Sequence, residues 1–137
     1  MTDITLHSPA PDALKTILHD NLTATGQSLP EEDLPDFLFV ITDQNGTLTA
    51  GCKGEIAFQT AHIAELWVHE SLRGQGIGTK LLARADAHAR AQGCTRIQIE
   101  TRNPAAKRLY EAQGYHVFGE LKNYDGPNSL VYMVKAL

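Results

Sequence analysis

The feature that most constrains this fold is a strand, a glycine-rich turn and a helix in direct succession over residues 66–82. The apolar run at 66–68 predicts the end of a strand, and apolar residues then recur at helical spacing from 77 to 89. Glycines at 74, 76 and 78 let the backbone approach a ligand, because no Cβ intervenes. The amide groups and the positive dipole end of the following helix attract anions. This stretch therefore predicts a phosphate-binding turn.

The rest of the chain predicts a mixed α/β fold in one domain, residues 1–137. Helices are predicted around the apolar positions 14–22 and 77–89, and from an N-cap at Asn103 to Gly114. A short helical turn is predicted near residues 30–32, a loop at 123–128, and a bulge or bend at Gly51 or Gly54. The continuous apolar run at 37–41 is typical of a strand buried on both faces. Strands are predicted at residues 4–7, 37–41, 47–58, 60–68, 96–100, 115–121 and 130–135.

Composition and charge exclude several classes of protein. The chain has 12 Lys and Arg against 16 Asp and Glu, a net charge of −4 without a basic run, which argues against nucleic-acid binding. No apolar stretch reaches the roughly 20 residues of a membrane span, and the N-terminus lacks the features of a signal peptide. Cys52 and Cys94 have no metal-ligand spacing. We therefore expect a reduced, cytoplasmic protein without a metal site.

Two common phosphate-binding motifs do not fit the glycine turn. A P-loop requires a lysine and then Ser or Thr directly after its last glycine, whereas Gly78 is followed by Thr79 and then Lys80. The dinucleotide fingerprint G-x-G-x-x-G also fails, because residues 74–78 have the pattern G-x-G-x-G. That fingerprint belongs on the first strand of its fold, and this turn lies halfway along the chain.

Two motifs together resemble the GCN5-related N-acetyltransferases, the GNAT superfamily. Arg73-x-x-Gly76-x-Gly78 resembles the acetyl-CoA signature of that superfamily, and Asn103-x-x-Ala106-x-x-Leu109-Tyr110-x-x-x-Gly114-Tyr115 resembles its second motif. The resemblance implies a small single-domain α/β (α+β) fold with a mixed, mostly antiparallel central sheet of about six to seven strands and helices on both faces. In that fold two parallel strands splay apart around the cofactor. Here they would be the strand ending at Val68 and the strand beginning near Arg96.

The resemblance also implies which residues hold acetyl-CoA, the acyl donor. The amides of residues 73–78 would hold the pyrophosphate, with the Arg73 side chain lining the turn. Leu66 and Val68 would pair through their backbone with the pantetheine arm, and Asn103 would lie near it. The cofactor-binding residues predicted in this way are Leu66, Trp67, Val68, Arg73, Gly74, Gln75, Gly76, Ile77, Gly78, Thr79, Asn103, Ala106 and Tyr110.

Three residues are predicted to carry the chemistry. By the resemblance, Tyr110 points its hydroxyl at the thioester sulfur, where a phenol can protonate the leaving thiolate. His62 is the first candidate for the base that takes the proton of the amine, since its ordinary pKa of about 6.5 suits neutral pH. Glu65 is the second candidate, although it points to the opposite face of the strand from His62 unless a bulge intervenes.

The function that these observations predict is acetyl-CoA-dependent N-acetylation of a primary amine by direct attack on the thioester. The acceptor would be a small cationic amine or a protein amine, and the resemblance raises the expectation of a homodimer. The alternative is a GNAT module that binds acetyl-CoA or CoA without turnover and acts as a sensor or scaffold. A third class, acetylation of aminoacyl-tRNA, would require a basic groove, which a net charge of −4 does not suggest.

Overall fold

The structure, a computed structural model, describes residues 3–26 and 34–137. The chain divides into two compact units, residues 1–32 and 33–137, and each is described by itself. The first unit contains one helix among its described residues, α1 (Asp12–Ala24), which begins after Pro11. The helix confirms the prediction around positions 14–22.

The strand predicted at residues 4–7 is wrong. These residues adopt no regular secondary structure, and Ile4 and Leu6 are almost fully exposed. A strand is stable only with a neighbouring strand and a buried face, and an alternation of two apolar residues guarantees neither. The helical turn predicted near residues 30–32 lies outside the described residues.

The second unit is built on one six-stranded sheet in the order β1-β2-β3-β4-β6-β5. Every neighbouring pair is antiparallel except β3 and β4, which are parallel. A 3-10 turn (Glu70–Leu72) and α2 (Ile77–Ala91) join β3 to β4, and α3 (Pro104–Ala112) joins β4 to β5. The predicted mixed, mostly antiparallel fold is therefore confirmed. The strands are β1 (Phe37–Thr42), β2 (Leu48–Ala57), β3 (Thr60–Val68), β4 (Arg96–Thr101), β5 (His116–Asp125) and β6 (Asn128–Ala136).

One hydrophobic core lies between the helices α2 and α3 and a single face of this sheet. Alternate residues of β2 and β4 are buried in it, because successive side chains of a strand point to opposite faces. The side chains between them point to the opposite face of the sheet. The core includes Ala50, Cys52, Ile56, Ala61, Ile63, Leu81, Leu82, Ala85, Ala89, Ile97, Ile99, Tyr110, Tyr115 and Met133. Within the described parts of the chain, no helix is long and apolar enough to cross a membrane.

Two predicted segments of this unit need correction. The strand at 37–41 is not buried on both faces, because β1 is an edge strand and Leu38 and Val40 on its outer face are exposed. The loop predicted at 123–128 is mostly strand, with only residues 126–127 left as the turn between β5 and β6. Asn123 adopts a positive φ of 55° within a register shift, and this irregularity lets β5 continue to Asp125.

β3 contains one extra residue relative to its neighbour β2. Lys53 pairs with Glu65 and the next residue, Gly54, pairs with Ile63, so Ala64 has no partner. Such a bulge shifts the alternation of side chains by one residue. The predicted irregularity at Gly54 is confirmed, and it lies beside the point where β3 and β4 separate.

Gly54→Ala is expected to lower the free energy of unfolding by about 1–3 kcal/mol, the usual cost of forcing an extra carbon into a packed site. A Cβ at Gly54 would press into the buried ring of Phe37 and would lie 2.8 Å from the backbone oxygen of His62, which cannot rotate away. Gly51→Ala on the same strand is the control, since its Cβ would lie 3.3 Å from the Phe39 oxygen. Urea unfolding measures both, and equal stability of the two variants would contradict the expectation.

Candidate active site

The parallel strands β3 and β4 pair over only three positions and then separate. The last pair is His62 with Gln98, after which β3 is paired on its β2 side alone. The gap forms a cleft of about 370 Å³ whose walls come from both strands and from α3. The splay predicted at this point is confirmed. The cleft is lined by residues 63–67 of β3, by Ile99, Glu100 and Thr101 of β4, and by Tyr110.

The backbone of β3 presents polar groups to this cleft. His69 donates its amide to the Thr49 oxygen of the β2 side, so the alternation of a strand turns the backbone groups of Leu66 and Val68 toward the gap. One of these groups is already engaged, because the Arg73 Nε donates a hydrogen bond of 3.1 Å to the Val68 oxygen. Trp67 projects to the outer face, where its ring meets the ring of His69 edge-on at 5.9 Å.

The glycine turn leads from β3 to the N-terminus of α2. Gly74 and Gly76 have φ of 78° and 75°, in the left-handed region that other residues enter at a cost. Gly78 has no such requirement, and a Cβ there would make an ordinary contact of 3.6 Å with Leu109. No amide of residues 74–79 donates a hydrogen bond to any described residue, so this run of donors is free. Ile77 and Thr79 line the adjacent pocket of about 260 Å³, whereas Gln75 turns its side chain back to the Ser71 oxygen.

Asn103 caps α3 as the sequence predicts. Its side-chain oxygen accepts a hydrogen bond of 2.9 Å from the amide of Ala105, and Pro104 occupies the first helical position. The side-chain NH2 of Asn103 donates to no described residue, so it can serve a ligand while the oxygen serves the helix. One turn further, Ala106 packs partly buried against the hydrophobic core, a small side chain beneath the α3 wall.

Tyr110 brings a phenol from α3 into the cleft. The residue is only 7% exposed, yet its hydroxyl forms no hydrogen bond with any described residue. Burial raises the pKa of Tyr110 above its ordinary value, with a smaller contribution from the nearby Cys52. The phenol therefore stays protonated at neutral pH and is available as a donor inside the cleft.

His62 lies on the outer face, between carboxylates of two neighbouring strands. Its Nδ1 is 3.1 Å from Glu55 Oε1 on β2, and its Nε2 is 2.9 Å from both oxygens of Glu100 on β4. Burial alone would lower the pKa of His62, but the hydrogen bonds and charges of Glu100 and Glu55 outweigh it and raise that pKa. Glu100 also accepts a hydrogen bond of 2.9 Å from Gln98.

The bulge at Ala64 places Glu65 on the same outer face as His62. Ala61 and Ile63 are buried before the bulge, whereas the inward positions after it are 66 and 68. Glu65 and Trp67 consequently lie on the same face of the sheet as His62. The bulge that Glu65 needs in order to share the face of His62 is therefore present. Glu65 lines the cleft but is exposed and makes no ion pair with the described residues.

Glu100 is the residue of this site that the sequence analysis missed. It lines the cleft with Tyr110 and also a second, open pocket of about 710 Å³ on the outer face. Its alternation with Ile97 and Ile99 indicates an outward position on β4, but only the pairing of β3 with β4 brings it to His62. The open pocket is lined by His62, Gln98, Glu100, Arg102, Tyr124, Leu130 and Tyr132. Within the described residues, no group of three or more His, Cys, Asp or Glu side chains is arranged to hold a metal ion.

Comparison with known proteins gives the same family by sequence and by fold. The model of the acetyltransferase (GNAT) family matches residues 7–115. A protein of Agrobacterium fabrum named acetyltransferase Atu2258 is 36% identical over 105 residues, 77% of this chain and 77% of the relative. Blasticidin-S acetyltransferase of Streptomyces morookaense is 35% identical over 95 residues, 69% of this chain and 70% of the relative.

A solved structure from Agrobacterium tumefaciens, classed as an acetyltransferase, has the same fold throughout. Its TM-score is 0.88 at 31% identity, and the match covers 99% of this chain and 100% of the other. The splayed strands, the glycine turn and the capped α3 helix thus occur in a chain whose sequence and fold both match acetyltransferases. The chain belongs to the GNAT family of N-acetyltransferases.

Proposed function

We propose that this protein transfers the acetyl group of acetyl-CoA to a primary amine by direct attack on the thioester. The observation that carries the proposal is Tyr110, whose hydroxyl is accessible from the cleft between β3 and β4 and has no hydrogen-bond partner among the described residues. A hydroxyl that opens into a cleft without a protein partner can donate to a ligand bound there. Tyr110 thus lies at the open edge of β3, and the glycine turn follows β3 directly in the chain.

The residues present fit acetyl-CoA. Six consecutive amides, of residues 74–79, have no acceptor within the described chain, as a pyrophosphate site at a helix N-terminus requires. The backbone groups of Leu66 and Val68 face the cleft and can add an extended arm to the edge of β3. For that, the Val68 oxygen gives up its hydrogen bond from the Arg73 guanidinium and accepts one from the ligand. Arg73 can then contact phosphate. At the start of α3, Asn103 offers an NH2 group without a partner among the described residues, in a pocket beside Thr101, which also lines the cleft.

The residues on two sides of the cleft then take different parts in the reaction. Acetyl-CoA, when bound, supplies the thioester. On the α3 side, the protonated hydroxyl of Tyr110 donates a hydrogen bond, and then its proton, to the leaving sulfur. On the outer side, the acceptor nitrogen must lose a proton, and His62, Glu65 and Glu100 are the titratable groups beside that side of the cleft. An amide of β3 that faces the cleft can hydrogen-bond the developing negative charge.

The acceptor that fits this site best is an amine that carries positive charge. The outer pocket is open, and its one histidine, His62, lies between Glu100 of the lining and the neighbouring Glu55 of β2. Arg102, the cation in its lining, is neutralised by Asp125 at 2.9 Å. One relative is named for a small molecule, blasticidin S, which favours a small amine over a protein amine.

A thiol-release assay with acetyl-CoA and a panel of primary amines tests this function. We expect amine-dependent release of CoA, with an acetylated product found by mass spectrometry, and faster release for cationic diamines than for amines that carry a carboxylate. Binding of acetyl-CoA by calorimetry without turnover on any amine would contradict the proposal and favour the sensor or scaffold alternative.

A further inference from the structure

His62 has no free lone pair in this structure. Each of its ring nitrogens faces carboxylate oxygens, Nδ1 toward Glu55 at 3.1 Å and Nε2 toward Glu100 at 2.9 Å. A carboxylate only accepts, so each nitrogen satisfies its neighbour only as an N–H donor. Two donors on one ring make an imidazolium ion, which cannot take a proton from a substrate.

The surrounding charges favour the cationic ring. Glu55 on β2 and Glu100 on β4 flank it, and the hydrogen bonds to both raise the pKa of His62 against the effect of burial. Glu65 lies on the same face of β3 and also lines the cleft, and Arg102 after β4 pairs with Asp125 of β5. The remaining polar residues of the pocket, Gln98, Tyr124 and Tyr132, are uncharged side chains at neutral pH.

Glu100 is held more firmly than the other carboxylates of this face. Its side chain is 29% exposed against 62% for Glu55, and it accepts hydrogen bonds from both His62 and Gln98. A carboxylate has about four lone-pair sites, so these donors leave room for a further one. Glu100 lines both the cleft that contains Tyr110 and the open outer pocket. It therefore lies on the path from one to the other.

We propose that Glu100 binds the ammonium group of the acceptor at the mouth of the cleft and that His62 is a cationic positioning residue rather than the base. This inference rests on the proposed function and refines its acceptor side. An ammonium ion has no lone pair, so the nitrogen gives up one proton to water in the open pocket before it attacks. It loses a second proton to water as the C–N bond forms and the C–S bond breaks, the sulfur takes its proton from Tyr110, and the Tyr110 phenolate then recovers a proton from water in the cleft. The substrate class is thus an aliphatic ammonium ion, and a neutral alcohol of the same shape is not bound.

The first test needs no cofactor. In an NMR titration of the protein alone, n-butylammonium chloride is expected to shift the signals of Gln98 and Tyr132, whereas n-butanol is not. Glu100→Gln should weaken this binding about tenfold to a hundredfold, the usual cost of losing a charged hydrogen bond. The matched control is Glu111→Gln, which removes an exposed carboxylate from α3 whose ion pair with Lys107 spans 3.9 Å. Equal affinity of Glu100→Gln and the control, or loss in Glu65→Gln alone, would overturn the assignment.

The second test separates a fixed cation from a base. His62→Arg keeps a positive charge that cannot accept a proton, and the open pocket leaves room for the longer side chain. We expect His62→Arg to keep the KM of wild type for the amine within a few-fold, whereas His62→Gln raises it about tenfold or more. For the wild type, the amine KM should rise as pH increases through the pKa of His62, because a neutral ring can donate to only one of its two carboxylates and no longer fixes the position of Glu100. This rise should vanish in His62→Arg. The ring nitrogens of His62, observed by NMR, should both be protonated at pH 7.

Two results would contradict the role of His62. One is equal loss of kcat in His62→Arg and His62→Gln together with a wild-type kcat that rises through the pKa of His62, which is the behaviour of a base. The other is an unprotonated ring nitrogen of His62 in the NMR spectrum at pH 7. A protein that binds n-butylammonium through Glu100 but releases no CoA with any amine would leave the acceptor site standing and overturn only the transferase proposal.

Discussion

Gly76→Glu is expected to abolish the binding of acetyl-CoA and CoA, with a loss of affinity of about a hundredfold or more. A carboxylate at this position would lie among the free amides of residues 74–79 and repel the pyrophosphate, and like charges in contact cost several kcal/mol. Nothing lies within 4 Å of the Cβ position of Gly76, so the new side chain does not collide with the fold. Calorimetry with CoA measures the effect directly.

The chain offers a close control for this variant. Gly93 lies just beyond the C-terminal end of α2, has a φ of 84° and likewise has nothing within 4 Å of its Cβ position. Gly93→Glu therefore introduces the same backbone strain and the same charge at the far end of the same helix. We expect it to bind CoA as the wild type does and to share the modest loss of thermal stability of Gly76→Glu. Tight binding of CoA by Gly76→Glu would contradict the assignment of the turn to the pyrophosphate.

Tyr110→Phe is expected to lower kcat about a hundredfold to ten-thousandfold, the range typical of losing a general acid. The ring that fills the core is kept, so the affinity for acetyl-CoA should stay within a few-fold of wild type. Because burial raises the pKa of Tyr110, the wild-type kcat should show no loss of the acid form up to the ordinary pKa of a tyrosine. Stopped-flow measurement of thiol release, with calorimetry for binding, checks both parts.

Tyr115→Phe is the matched control for Tyr110→Phe. Tyr115 is as buried as Tyr110, the two rings lie 5.9 Å apart, and its hydroxyl also has no partner among the described residues. It differs in that its hydroxyl is fully buried and it does not line the cleft. We expect Tyr115→Phe to retain its turnover, and equal losses in the two variants would show that packing rather than proton donation explains the effect.

The features that could be predicted from the sequence are those that depend on residues close together in the chain. The glycine turn and the Asn103 cap both rest on such residues, and the structure confirms each as local structure. The strand at 4–7 failed because a strand is a property of two segments, and no alternation in one segment reveals the other. The contact of His62 with Glu100 on the outer face was not predicted for the same reason, because it depends on two separate segments.

The grouping of His62 with Glu100 shows this most clearly. The two residues are 38 positions apart and meet only because β3 and β4 run parallel for three positions before they separate. The face of Glu65 depended on whether one residue of β3 lacked a partner, which the sequence left open. Glu100 was visible only as one of three polar residues alternating with isoleucines on its strand. Its proximity to the cleft is a consequence of sheet order.

The unpaired residue Ala64 divides β3 into two halves with different tasks. In the first half, the inward side chains build the core and the backbone is hydrogen-bonded on both sides. In the second half, one backbone edge is open, and the outward side chains belong to odd-numbered instead of even-numbered residues. Removal of that single residue would restore regular alternation and exchange the exposed Trp67 with the partly buried Leu66 and Val68. One alanine without a partner thus sets which side chains of the strand face the core and which face the outer side of the sheet.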